Sequence, residues 1–174
     1  MINEVVKPTV DGLVKGEYHY HGILYIGLML TADGPKVIEY NVRLGDPETQ
    51  VVLPRLATDL YELVDAAIDD RPLPEIKESA EASFGVVLAS KGYPKKPVHG
   101  QGLGSFPASE GIEIDYANVS GTLDHLKGAG GRLLMVIAEE NTLQEAHDRV
   151  YSYLDQLDQP ECFYRHDIGA KAGV

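Results

Sequence analysis

GILYIGLML (Gly22–Leu30) and KVIEYNVRLGDPETQ (Lys36–Gln50) decide how this chain is read. The first is almost continuously apolar, the pattern of a strand covered on both faces. Asp33-Gly34 then supplies a turn. The segment Lys36–Leu44 predicts a second strand, so the pair predicts an antiparallel hairpin. Side chains alternate between the faces of a strand. Glu39, Asn41 and Arg43 therefore share one face, and Ile38, Tyr40, Val42 and Leu44 the other.

A carboxylate, an amide and a guanidinium in consecutive same-face positions are an unusual polar set. Such positions lie roughly 6.5–7 Å apart, a gap that Glu and Asn side chains can bridge onto one hard cation. Magnesium prefers oxygen ligands and commonly takes only one or two from protein. Arg43 offers a fork of N–H donors to a phosphoryl oxygen. Together these are a recipe for handling a nucleoside triphosphate, although a solvated polar face has the same spacing. In Gly45-Asp46-Pro47-Glu48, Asp46 is expected to cap a helix, with Pro47 at its first position and Glu48 in its first turn. A helix start placed there could bind a substrate carboxylate or phosphate. A well-capped helix needs no ligand, so that alternative stays open.

Outward from this stretch, Pro54 divides the helical region. A second helix opens near Asp59, with Leu60, Leu63, Val64, Ala67 and Ile68 at helical spacing. RPLPEIKESAEA (Arg71–Ala82) reads as a linker. Beyond it come expected short strands at Phe84–Ser90, Gly111–Tyr116 and Arg132–Ala138, with a glycine- and proline-rich loop over Lys91–Ser109. Thr142-Leu-Gln-Glu145 is a capping box, followed by a helix lined by Leu143, Ala146, Val150, Tyr153, Leu154 and Leu157. Before Gly22 there is only weak helical spacing at Leu13 and Val14. The fold class is α+β, as two α+β pieces joined near residue 75.

Composition narrows the function classes. The 174 residues include 15 Lys plus Arg and 27 Asp plus Glu, a net charge of −12. A field of that sign repels phosphate backbones, so no nucleic-acid partner is expected, while a local cationic pocket for a small anion is compatible with it. The single cysteine, Cys162, excludes an internal disulfide and a cysteine-rich zinc site. MINEVVKPTV (Met1–Val10) is not a secretory signal, and the apolar run Ile23–Leu30 is too short to span a bilayer. A soluble, cytoplasmic protein with no membrane partner is the expectation.

HGILYIGLML, KVIEYNVRLGDPETQ and LPRLATDLYELV resemble the C-terminal half of the phosphoribosylamine–glycine ligase (glycinamide ribonucleotide synthetase) family of the ATP-grasp superfamily. LASKGYP (Leu88–Pro94), GGRLLMVIA (Gly130–Ala138), TLQEAHDRVY (Thr142–Tyr151) and FYRHDIG (Phe163–Gly169) match in order, and Lys95–Leu126 matches least. The resemblance implies the C-terminal portion of an ATP-grasp domain over residues 1–74, an antiparallel sheet with helices. A small α+β C-terminal domain follows over residues 75–174. It implies ATP-dependent amide formation between glycine and 5-phosphoribosylamine in purine biosynthesis, through a glycyl phosphate, with Mg2+ or Mn2+. By the same resemblance Glu39 and Asn41 are metal ligands and Arg43 is the catalytic arginine that stabilises phosphoryl charge. Asp46 and Glu48 are substrate-binding candidates.

YIGLML, the preceding strand, has no acid where many ATP-grasp enzymes carry a further ligand. The glycine-rich lid, the phosphate-binding lysines, the adenine hinge and the N-terminal domain are not in the sequence. The expectation is a piece that needs the missing N-terminal portion as a partner, is inactive alone, and tends to self-associate through its uncovered hairpin. The competing class is a non-catalytic binding or assembly module that complements a separate chain. A third reading, a biotin carboxylase relative, is disfavoured by GDPETQ and YRHDIG.

The remaining features read blandly. His19 and His21 make a poor zinc site without a third ligand. GQGLGS (Gly100–Ser105) lacks the following helix of a phosphate loop, and Gly128–Gly131 reads as a turn. Cys162 reads as a buried inert thiol, Tyr164–Asp167 as a salt-bridging segment, and Lys91, Lys95 and Lys96 as a solvated loop.

Overall fold

The apolar runs at residues 82–90 and 132–140 become the longest strands of the molecule because both of their faces find cover. The computed structural model describes every residue from Met1 to Val174. By internal packing the chain divides into two units, one of Met1–Glu48 with Thr58–Ile76, the other of Thr49–Ala57 with Lys77–Val174.

The first unit begins with a π-helical turn, Ile2–Val6, running into α1, Lys7–Lys15. The weak spacing before Gly22 therefore hides a real helix. The covered stripe along the turn and the helix is Val5, Thr9 and Leu13, spaced four apart. The Thr9 hydroxyl lies 3.1 Å from the Tyr40 hydroxyl. The hairpin forms from β1, Tyr25–Thr31, and β2, Gly34–Asn41, paired antiparallel. Its tight turn is Ala32-Asp33, and Gly34 takes φ +95°, a left-handed value suited to glycine.

Two expectations change here. The hairpin is a two-stranded sheet, so β1 is not buried on both faces, and Leu30 is 70% exposed. β2 stops at Asn41, three residues before the expected Leu44, because the chain bends at Val42-Arg43. Asp59 caps α3, Leu60–Ile68, by accepting from the Tyr61 N–H at 2.8 Å. An apolar groove of about 480 Å3 runs along α3, lined by Ile23, Leu60, Val64, Ile68, Leu73 and Ile76.

The second unit is an antiparallel four-stranded sheet. Its strands are β3 (Ala82–Ser90), β4 (Glu113–Tyr116), β7 (Arg132–Glu140) and β8 (Cys162–Phe163), in the order β4-β7-β3-β8. A small ladder of β5 (Val119–Ser120) and β6 (Lys127–Gly128) sits within the intervening loop, where only a turn was expected at Gly128. Phe84, Val86 and Leu88 on β3 and Leu134, Val136 and Ala138 on β7 alternate toward α4, Leu143–Leu154. They meet its Ala146, Val150, Tyr153 and Leu154 in one buried core. Thr142 and Glu145 close the predicted capping box reciprocally, at 3.2 and 3.0 Å. Leu157 lies past the helix end yet still packs on that core. On the opposite face Leu133, Met135 and Ile137 are also buried. The short helix α2, Thr49–Val52, sets Val51 over Gly85 there, within 3.0 Å of where a β-carbon would stand.

Candidate functional site

The hairpin register brings the polar residues of β2 onto one face with two residues of β1. Tyr25 stands opposite Asn41 and Gly27 opposite Glu39. Ile38 is an extra residue between the pairs Gly27/Glu39 and Leu28/Val37. Such a bulge shifts everything beyond it by one position, so it determines which side chains face each other. Gly27 leaves room for the carboxylate, since a β-carbon there would lie 3.0 Å from Glu39 Cγ.

The three expected residues do converge. Asn41 Nδ2 donates to Glu39 Oε1 at 3.0 Å, and Arg43 Nη2 donates to Asn41 Oδ1 at 3.3 Å. Arg43 reaches back from the bend rather than from the strand, and its Nη1 donates to the Leu44 carbonyl at 2.8 Å.

The turn that follows departs from expectation. Asp46–Glu48 is a turn with a cis Asp46–Pro47 peptide, and the helix starts only at Thr49. Asp46 therefore does not sit at a helix N-cap, nor Pro47 and Glu48 in a first helical turn. The four residues of α2 also provide no extended dipole to hold an anion. Glu48 folds back instead, with the Tyr25 hydroxyl donating to its Oε1 at 3.2 Å. Burial raises the Tyr25 phenol pKa, and the charge and hydrogen bond of Glu48 and the charge of Glu39 raise it further, while Arg43 opposes them. Tyr25, Glu39, Arg43 and Glu48 thus form one electrostatic neighbourhood, and Asp46 occupies the same turn two residues before Glu48.

Glu39 and Asn41 supply a carboxylate and an amide oxygen, both hard donors. No group of three or more His, Cys, Asp or Glu side chains is placed to hold a metal ion. Two oxygen donors of this kind suit magnesium or manganese, which take few ligands from protein. Tyr25 and Gly27 were missed in the sequence because the β1 run reads as uniformly apolar. The available signal was the hairpin register, and the bulge at Ile38 defeats any count made back from the turn.

A cleft of about 640 Å3 belongs to the second unit, and Glu140, Glu145, Asp148 and Arg149 are among its lining residues, with Ile112 and Tyr153. Arg149 is already engaged by Glu140 and by the Glu110 carbonyl. Three of these side chains are acidic, and the one cation among them is spent within the protein.

The lesser features settle locally. His21 lies outside any strand and pairs with Asp70 at 2.8 Å. The Cys162 thiol is half-buried and its pKa is raised, first by burial and then by Glu161, which keeps it protonated. Arg165 grips Asp167 with two N–H groups at 2.8 and 2.6 Å.

Residues 83–171 match the family model "Phosphoribosylglycinamide synthetase, C domain". Residues 1–49 match "Phosphoribosylglycinamide synthetase, ATP-grasp (A) domain". A phosphoribosylamine–glycine ligase of Halalkalibacterium halodurans is 44% identical over 172 residues, covering 98% of this chain and 40% of that protein. One from Listeria monocytogenes is 44% identical, with 98% and 41% covered. The chain thus spans about two fifths of the length of the curated relatives it matches. The crystal structure of phosphoribosylamine–glycine ligase from Thermotoga maritima superposes with a TM-score of 0.81 at 32% identity, over 95% of this chain and 41% of that one. The biotin carboxylase domain of a Hydrogenobacter thermophilus 2-oxoglutarate carboxylase shares the fold at a TM-score of 0.63 and 17% identity, with 92% and 37% covered.

Proposed function

This chain belongs to the phosphoribosylglycinamide synthetase family, and from that premise we propose that it supplies the metal- and phosphate-facing strand of an ATP-dependent carboxylate–amine ligase of purine biosynthesis. The substrates are glycine, 5-phosphoribosylamine and ATP. A glycine carboxylate oxygen bonds to the γ-phosphorus as ADP leaves. The amine then attacks the acyl carbon of the glycyl phosphate, losing a proton as phosphate leaves, and an amide results.

Glu39 and Asn41 hold Mg2+ or Mn2+, which when bound offsets charge on the phosphates. Arg43 directs N–H donors at the oxygens of the transferring phosphoryl group, where charge is spread. Asp46 and Glu48 contact substrate from the turn. The observation that carries this reading is the hydrogen-bonded run Arg43–Asn41–Glu39 on one hairpin face. Residues 1–74 serve as the C-terminal portion of the ATP-grasp domain and residues 75–174 as the C-terminal domain. We infer that turnover is cytoplasmic and requires the remaining portion of the relatives' length. By itself the chain self-associates through exposed apolar residues such as Leu30, Ile38 and Ile68.

The test mixes this polypeptide with a polypeptide carrying the N-terminal portion of a relative. Phosphate release that depends on ATP, glycine and 5-phosphoribosylamine is expected, with none from either part alone and none from Glu39→Ala. Full turnover by the 174-residue chain alone, or by the Glu39→Ala mixture, contradicts the assignment. Sedimentation of the chain alone as a monomer at high concentration contradicts self-association.

A further inference from the structure

We propose that Tyr25 is a positioning residue of the cation-bearing face: its hydroxyl ties the Glu48 carboxylate to the strand pair that carries Glu39 and Asn41. The proposal rests on the reading of Glu39 and Asn41 as ligands of a divalent cation. The segment after Asn41 has left the hairpin ladder. Two side-chain ties bring it back, Arg43 onto Asn41 and Tyr25 onto Glu48, a partner 23 residues along the chain.

Tyr25 is suited to the task by register, since it stands directly across from Asn41 on the ligand-bearing face. The fold-back also needs Gly45. A β-carbon there would come within 2.5 Å of Glu48 Oε2 and 3.2 Å of Tyr25 Cε2. The carboxylate end would be pushed off the ring rather than the backbone displaced. Held in place, Glu48 adds a second negative charge beside Glu39, and a divalent cation at Glu39 and Asn41 is stabilised by both. The Tyr25 hydroxyl touches the Glu48 carboxylate and its residue stands across from Asn41, so its ring carbon is placed to report on a cation bound there.

The experiment uses the 174-residue chain labelled with 13C at tyrosine Cζ, titrated with Mg2+ alone at fixed ionic strength. The Tyr25 signal is assigned by its loss in Tyr25→Phe. In the parent, the Tyr25 Cζ resonance and the Glu39 and Asn41 amides should shift along one common Mg2+ curve. In Tyr25→Phe the two amides should still respond, with Mg2+ affinity weakened about threefold to tenfold, the effect of losing one charge-assisted hydrogen bond in a partly exposed setting. Gly45→Ala, which leaves both tied residues intact, should weaken Mg2+ equally and remove the Tyr25 Cζ response, which covers the case in which Tyr25→Phe misfolds. If the amides respond while Tyr25 Cζ does not, or if Gly45→Ala keeps parental affinity, the positioning role is overturned and the cation site stands. If nothing responds to Mg2+ in the parent, the ligand reading falls and the positioning role with it.

Discussion

Gly27 stands across the hairpin from Glu39, and the two residues meet only because Ile38 is looped out as a bulge. The carboxylate stem lies where a side chain at 27 would stand, 3.0 Å from an ideal β-carbon. Gly27→Val should therefore push Glu39 aside. Glu39 is exposed and can swing away, so the stability cost should be below the roughly 1–3 kcal/mol of overpacking in a closed core. A lower urea midpoint together with a weaker Mg2+ response is expected, and parental values for both would contradict the close approach.

Asn41 mediates between a carboxylate and a guanidinium. Asn41→Asp keeps an oxygen donor but replaces the 3.0 Å donation to Glu39 with like-charge repulsion. Without divalent cation the variant should melt below the parent, and added Mg2+ should raise its Tm by more than it raises the parent's. Thermal melts with and without Mg2+ check this. Equal Mg2+ effects on the two proteins would show that residue 41 does not face the cation.

The second unit depends on β7 and α4. Leu134 is 1% exposed in the centre of that core. Leu134→Ala should cost about 2–5 kcal/mol through lost burial and the cavity left behind. Thr142→Ala removes one half of the capping box and should cost about 1 kcal/mol. Chemical denaturation orders the two, and the reverse order would mean the core relaxes around the missing side chain.

Tyr164 donates to Asp155 Oδ1 at 2.6 Å. Burial, then the hydrogen bond and charge of Asp155, push its pKa up to about 12 from an ordinary 10.0. The folded state thus favours the neutral phenol. Its contribution to stability is fully present below about pH 10 and is lost as pH rises toward about 12. Denaturation midpoints across that window should fall more gently in Tyr164→Phe than in the parent. Matching slopes would show that this phenol is no better stabilised in the folded chain than in the unfolded one.

Local rules made much of this structure readable in advance. The capping box at Thr142, the cap at Asp59 and the apolar alternation of β3 and β7 are signals carried within a few residues, and each element formed where those signals lie. Glu39, Asn41 and Arg43 were legible because two of them obey strand alternation and the third folds back onto the second. What escaped depends on distant partners. Val5 and Leu13 are separated by the polar Thr9, so they do not read as one apolar stripe, yet all three are covered and Thr9 meets Tyr40 of β2. The turn at Asp46 reads as a helix start until Glu48 is bound by Tyr25. Leu30 and Ile38 look like interior residues, yet with two strands in their sheet they remain open to solvent.

The segment Thr49–Ala57 packs with residues beyond Lys77 rather than with its sequence neighbours on either side. A protease nick or a gene-level cut just ahead of Lys77 would therefore not liberate a whole second unit. It would strip Val51 from the hollow above Gly85, uncover Ile137, and break the Leu56–Glu78 bridge and its flanking bonds. Anyone transplanting that unit into another protein would have to carry these nine residues along with it.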